Sequence, residues 1–168
     1  MVTILVAAGE DEKDFYNELK GLLSEHFADN AIKLCDFVGF KEAGEKDKVI
    51  VVYKQQAPIP EPLAVAQSSV VAIVDSGSEE LLCHVSDTRL PAITCGLRSR
   101  DTITLSSMDG ESAVVDLRRC ICCLDGSEAE PQEIPLKRPA TQDNFLLMAF
   151  AAILILTGKA ESLKDGII

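Results

Sequence analysis

The residues with the plainest capacity for chemistry stand near the start of this 168-residue chain, in Gly9-Glu10-Asp11-Glu12-Lys13-Asp14. They follow an apolar run, Val2 to Val6, and precede Phe15, Leu19, Leu22 and Leu23 at helical spacing. That order predicts a buried parallel strand, a turn at its carboxyl end, and a helix from Asp11 onward. In open α/β sheets such a junction holds phosphate, because loop N–H groups and the helix N-terminus point at the ligand together. Gly9 would let the backbone approach an anion and Lys13 would supply a cation. Glu10, Asp11 and Glu12 work against both, since one carboxylate near an exposed phosphate costs about 1 kcal/mol in water and more when desolvated.

Asp75 is the other candidate ligand contact. It closes the apolar run Val70 to Val74 and opens Asp75-Ser76-Gly77-Ser78, at the strand end where such sheets commonly bind. An Asp there serves equally well to satisfy a turn. Arg98, Arg100 and the pair Arg118-Arg119 are the dense basic spots, and their plain role is surface pairing with the abundant acids. Cys120-Ile121-Cys122-Cys123 is the one cysteine cluster among six cysteines. On a strand, Cys120 and Cys122 face one way and Cys123 the other. The expectation is small buried hydrophobes, with redox or metal chemistry as the alternative. His26 and His84 have no ligand pattern around them and are read as structural or surface residues. Neither a metal nor a cofactor is expected.

The elements that position these residues follow from pattern. Ile32 to Phe37 and Val49 to Tyr53 predict two further strands, separated by a polar loop from Gly39 to Lys48. Gln55 to Pro62 contains three prolines and predicts a stiff connection. Ser78 is placed to cap a short helix over Glu79 to Val85. Pro91 to Gly96 predicts another strand. After it the pattern changes to a meander: Thr102 to Ser107, Ala113 to Leu124 and Gln132 to Leu136, linked through the turn dipeptides Asp109-Gly110 and Asp125-Gly126. Phe145 to Leu156 is apolar throughout. It is too short to span a bilayer, which takes roughly 20 residues, and predicts a helix buried on most sides, capped by Thr141 or Asp143 and ended by Gly158. A short helix over 160–168 would close the domain.

Composition sets limits. Hydrophobic residues make up 47% of the chain, enough for a core, and nothing is of low complexity. A formal net charge of −11 argues against nucleic acid, whose binding depends on clustered Lys and Arg, and against an anionic membrane surface. The initial apolar run is short, lacks a preceding basic residue, and is followed by acids, so no secretory signal is read; a cytoplasmic location with reduced thiols is expected. The fold class is α/β, a mostly parallel sheet flanked by helices with an antiparallel hairpin subsheet in the second half. One domain is expected over 1–168, with a βα part at 1–90, antiparallel strands at 91–140 and C-terminal helices at 141–168.

The order of the later elements carries a family resemblance. Pro91-Ala-Ile-Thr-Cys-Gly-Leu97, then Asp101-Thr-Ile-Thr, hairpins with an Asp-Gly turn, Ile134-Pro135-Leu136, and an Ala-rich apolar helix closing on Gly158 together resemble the second half of the central domain of the Mur ligases. These ATP-dependent enzymes add amino acids to the bacterial peptidoglycan precursor, and folylpolyglutamate synthetase is their relative. The resemblance covers about Ser69 to Ile168 and implies an α/β sheet of P-loop-type ancestry with an added antiparallel subsheet. The family's functional motifs are missing. Its T-G-T-N-G-K-T/S loop, aligned on Ala8 to Asp14, keeps Gly9 and Lys13 but puts Glu12 at the second glycine and Asp14 at the metal-binding hydroxyl. Its adenine-binding G-x-H-N-x-x-N aligns with Ala140-Thr141-Gln142-Asp143-Asn144-Phe145-Leu146 and keeps none of those residues. The segment with the family's metal-binding glutamate, histidine and carbamylated lysine has no counterpart between Lys54 and Ser69, and the C-terminal domain that completes the family's site is expected to be missing as well.

Three functions follow from this reading. The first is a non-catalytic Mur-ligase-like domain that acts as a binding or assembly module, as a homo-oligomer or with a protein partner linked to cell-wall metabolism, and does not bind ATP. The second is a residual nucleotide or small-anion binder that uses Gly9, Lys13 and Asp75. The third is an enzyme of another class with a Cys, Asp or Arg site.

Overall fold

The computed structural model describes residues 2–9, 12–28, 31–36, 48–57, 70–110, 112–137 and 143–160. Those residues form an α/β fold of three helices, an eight-stranded, mostly parallel mixed sheet, and a small two-stranded antiparallel sheet. The chain divides into two compact units, Met1–Ile93 and Thr94–Ile168.

The first unit is built on β1 (Val2–Ala7), whose Ile4 to Ala7 are fully buried, as expected of a central parallel strand. Parallel pairing sets β1 between β2 (Ile32–Asp36) and β3 (Lys48–Tyr53), and β3 pairs in parallel with β4 (Val70–Asp75). The order is therefore β2-β1-β3-β4. In doubly wound sheets with this order the switch point falls between the first and third strands, and ligands bind outside the carboxyl ends there.

Two helices cover this sheet. Helix α1 (Glu12–Ser24) packs on β1 and β2, burying Phe15, Leu19, Leu22 and Leu23, the stripe its 3.6-residue period predicts. Helix α2 (Glu79–Thr88) packs on β4 through Leu81 and Val85. These join Leu5, Ala7, Val49, Val51, Tyr53, Ala57, Val70, Ala72 and Val74 in one apolar cluster. Ile4, Val6, Ile50, Val52 and Ile73 are as deeply buried and, by strand alternation, point to the other face. Ser78 caps α2 as expected, its hydroxyl accepting from the Leu81 N–H at 3.3 Å, and the helix continues three residues past Val85 to a left-handed Arg89.

β5 (Ala92–Cys95) spans the division, and in the second unit its Cys95 pairs in parallel with Ile103 of β6 (Ile103–Met108). β6 then pairs antiparallel with β7 (Ser112–Leu117), and β7 antiparallel with β10 (Gln132–Lys137). The expected single strand over Ala113 to Leu124 is divided. At Arg118 the chain is held by its N–H to Thr102 O at 2.9 Å and its guanidinium to Arg98 O at 3.3 Å. It then turns into a separate hairpin, β8 (Ile121–Cys122) with β9 (Glu128–Ala129), closed by Asp125-Gly126. Helix α3 (Asn144–Leu156) packs on β6 and β7 with every side chain from Phe145 to Leu156 buried. Asp143 is its cap, accepting from the N–H groups of Phe145 and Leu146, and Gly158 follows it at φ +72°. Of the loop expected over Gly39 to Lys48, the link over Gln55 to Pro62 and the closing helix over 160–168, residues 39–47, 58–62 and 161–168 lie outside the described residues, and Lys48 belongs to β3. Among the described residues no helix is long and apolar enough to cross a membrane.

Candidate functional site

The carboxyl ends of β1, β3 and β4 carry the candidate residues, and the short turn after β3 organises them. Beyond Tyr53 the chain bends through Lys54 to Ala57. The Lys54 N–H donates to Ala7 O at 2.9 Å, the Ala57 N–H donates to Lys54 O at 2.9 Å, and Gln56 takes a left-handed φ of +72°. Ala57 is buried in the same cluster as Ala7 and Leu81, so the turn is pinned by an apolar anchor as well as by hydrogen bonds.

Gly9 lies directly against this turn. Its φ is +70°, and a Cβ built there would stand 2.7 Å from Gln56 O. The residue is glycine because another backbone occupies the space a side chain would need. Its close approach is to the protein itself, at the β1/β3 switch point where a ligand phosphate would otherwise enter.

Asp75 is half-buried, and one of its carboxylate oxygens accepts from the Gly77 N–H at 2.9 Å, closing a turn ahead of α2. The Gln55 side chain reaches the same spot, 3.5 Å from where a Gly77 Cβ would be. The turn after β3 thus touches both neighbours, with Gln56 against Gly9 and Gln55 beside Gly77. Lys13 stands apart as an exposed residue in the first turn of α1, and Asp14 beside it is exposed too. Glu10 and Asp11 lie outside the described residues.

Lys54 and Tyr53 belong to this region although nothing in their local sequence marks them. The Lys54 ammonium lies 5.2 Å from the centre of the Phe15 ring, a cation–π contact between the turn and α1. Tyr53 is fully buried, with its ring edge-on to His84 at 6.2 Å, and its hydroxyl has no hydrogen-bond partner among the described residues. Burial pushes its phenol up to about 12. The signal available in the sequence was only that a Tyr ends a run of valines and isoleucines.

The basic residues of the second unit have local roles. The Arg98 N–H donates to Asp101 Oδ2 at 2.8 Å, Arg98 O receives the Arg118 guanidinium, and Arg118 pairs with Asp116 at 3.2 Å. Arg100 is exposed. The cysteine expectation is corrected in part. Cys123 is buried and its thiol donates to Ile155 O at 3.3 Å, but Cys120 and Cys122 are exposed. They lie on the open face of a two-stranded hairpin that no third strand extends among the described residues. Among the described residues no three His, Cys, Asp or Glu side chains converge on a point that would hold a metal ion.

A groove of about 200 Å³ lies elsewhere in the first unit, between α1 and β2, lined by Tyr16, Lys20, Phe27, Ile32 and Leu34 among others. Gly9, Lys13 and Asp75 take no part in it. Tyr16 braces its wall by donating to Leu34 O at 2.9 Å. A scan against protein-family models matches none, and a search of curated proteins finds no match.

Proposed function

We propose that this chain is a non-catalytic binding or assembly module, derived from a domain like the central domain of the Mur ligases and acting through a homo-oligomer or a protein partner. The observation that carries the non-catalytic reading is the contact of Gly9 with Gln56. A phosphate-binding turn needs open space above its glycine, and here the Gln56 carbonyl of the turn after β3 stands close to it. Asp75 supports the same reading, since its carboxylate is engaged by its own turn. Asp143, at the family's adenine-contacting asparagine position, is engaged as the cap of α3. The derivation from a Mur-like domain, and with it any link to cell-wall metabolism, rests on the order of elements from Pro91 to Gly158.

Calorimetric titration with Mg–ATP, paired with a phosphate-release assay, tests the proposal. The expected result is no binding heat up to millimolar nucleotide and no hydrolysis. Micromolar binding together with turnover would overturn it.

A further inference from the structure

The groove between α1 and β2 lies in the first unit, away from Gly9 and Asp75. Leu23 is buried at its base, and Tyr16, Phe27, Ile32 and Leu34 stand half-buried around it. Asp and Glu number 27 in the chain, yet none lines this groove among the described residues, and its one charged side chain is the exposed Lys20. Helical spacing explains the sorting: Tyr16, Lys20 and Leu23 share one side of α1, and Asp14 and Glu18 fall on the other. At about 200 Å³ the groove is smaller than the roughly 300–1,000 Å³ of sites that enclose small ligands. Its size suits one apolar side chain of another protein molecule.

Among the described residues the exposed large hydrophobic side chains are Leu97, 68% exposed, and Met108, 46% exposed. Leu97 stands beside Arg98 and close in sequence to the exposed Arg100, so it would carry positive charge toward Lys20. Met108 differs. It ends β6 at the turn into β7 and is followed by Asp109. The Asp109 carboxylate accepts from the Ser112 N–H at 2.6 Å and the Ser112 hydroxyl at 2.8 Å, and the Asp109 N–H donates to Ser112 O at 2.9 Å. The hairpin end is therefore clamped, with an apolar knob beside a fixed carboxylate that keeps further acceptor capacity.

Building on the assembly-module reading, on which this step rests, we propose that the groove receives the β6–β7 hairpin tip of a second copy of this chain. Met108 of one copy enters between Tyr16 and Phe27 of the other, and Asp109 meets the Lys20 ammonium at the rim. Methionine suits an irregular groove walled by aromatic rings, because its chain is unbranched and its sulfur makes favourable contacts at ring edges. The charge pattern selects this place on the surface. Two copies of net charge −11 repel one another overall, so an acidic tip approaches most cheaply where the receiving surface carries a lysine and no lining carboxylate. Knob and groove are different surfaces of the same chain, so the contact is heterologous. A contact built on one anchor is small, and the association is weak and concentration-dependent.

The test is sedimentation velocity of the full chain over a concentration series up to about 1 mM, at about 0.15 M salt to screen the net repulsion. The wild type is expected to sediment faster as concentration rises. Met108→Ser should weaken that association by roughly 30-fold or more, as loss of a central anchor does. Lys20→Glu/Ala28→Glu, which sets carboxylates on the groove rim, should weaken it comparably. Leu97→Ser should leave it unchanged. Mixing the Met108→Ser chain, whose groove is intact, with the Lys20→Glu/Ala28→Glu chain, whose knob is intact, should restore association. All four substituted side chains are exposed, so each variant should keep the wild-type circular dichroism spectrum and melting curve. A wild type that stays monomeric throughout overturns the proposal and assigns the groove to a different protein, which leaves the assembly-module reading standing. Association that survives both the Met108 and the groove substitutions overturns this contact while supporting a homo-oligomer, and nucleotide turnover, measured separately, is what would overturn the non-catalytic reading.

Discussion

At Gly9, a left-handed backbone and a carbonyl 2.7 Å from the would-be Cβ act together. Gly9→Ala should therefore destabilise the chain by about 1–3 kcal/mol, the range for a forced αL residue with a steric clash. Chemical denaturation provides the comparison. Gly21 makes the opposite prediction from the same sequence letter. It sits within α1 with open space around it, so Gly21→Ala should stabilise by about 0.5–1 kcal/mol. Tyr53 offers a further check. Its hydroxyl is buried without a partner, so Tyr53→Phe should leave stability unchanged or raise it by up to about 1 kcal/mol, where loss of a satisfied hydroxyl would lower it. Its raised phenol pKa also fixes a sign. The folded state holds the proton more tightly than the unfolded one, so this contribution is complete below pH 10 and is lost as pH rises toward 12. Ultraviolet difference titration of the phenolate, in wild type against Tyr53→Phe, should show that late-titrating tyrosine disappear.

Among the elements, the parts readable in the sequence are those fixed by local chemistry. The 3.6-residue stripe of Phe15, Leu19, Leu22 and Leu23, the Ser78 cap, the Asp143 cap and the run Phe145 to Leu156 each carry their own signal, and the helices stand where those signals put them. Replacing Asp143 by Ala should cost about 1–2 kcal/mol, because its carboxylate satisfies two N–H groups at the start of a helix buried along its length, and a shift in denaturation midpoint would register it. What the sequence did not show was set by partners far along the chain. Ala113 to Leu124 reads as one strand because its apolar residues continue through Cys123, yet Arg118 is anchored to Thr102 and Arg98, and the next residues leave the sheet. Exposure of Cys120 and Cys122 follows from that departure, so it was equally hidden. Asp75 was ambiguous for a different reason: turn closure and ligand contact use the same residue at the same strand end, and only the Gly77 hydrogen bond distinguishes them.

At the scale of the molecule, α/β class and the change from βα units to antiparallel strands were legible from the spacing of apolar runs. The strand order β2-β1-β3-β4 was not, since parallel neighbours are chosen by contacts that no window of sequence contains. That order makes the β1/β3 boundary the switch point, and the turn over Lys54 to Ala57 lies there against Gly9. The acidic balance acts at this scale too. With a net charge of −11, the chain is expected not to shift duplex DNA in an electrophoretic assay even at low salt, where nonspecific binding is strongest.

In the proposed reading the turn that lies against Gly9 excludes phosphate from the first βα junction, so restoring loop residues alone brings back no nucleotide site. Glu12→Gly/Asp14→Thr restores the glycine and hydroxyl of a nucleotide loop while leaving Gly9 against Gln56. Calorimetry of this double variant with Mg–ATP should show no binding, the same as the wild type. Micromolar binding by the variant would contradict the claim, for it would mean that the carboxylates alone had kept an open site empty.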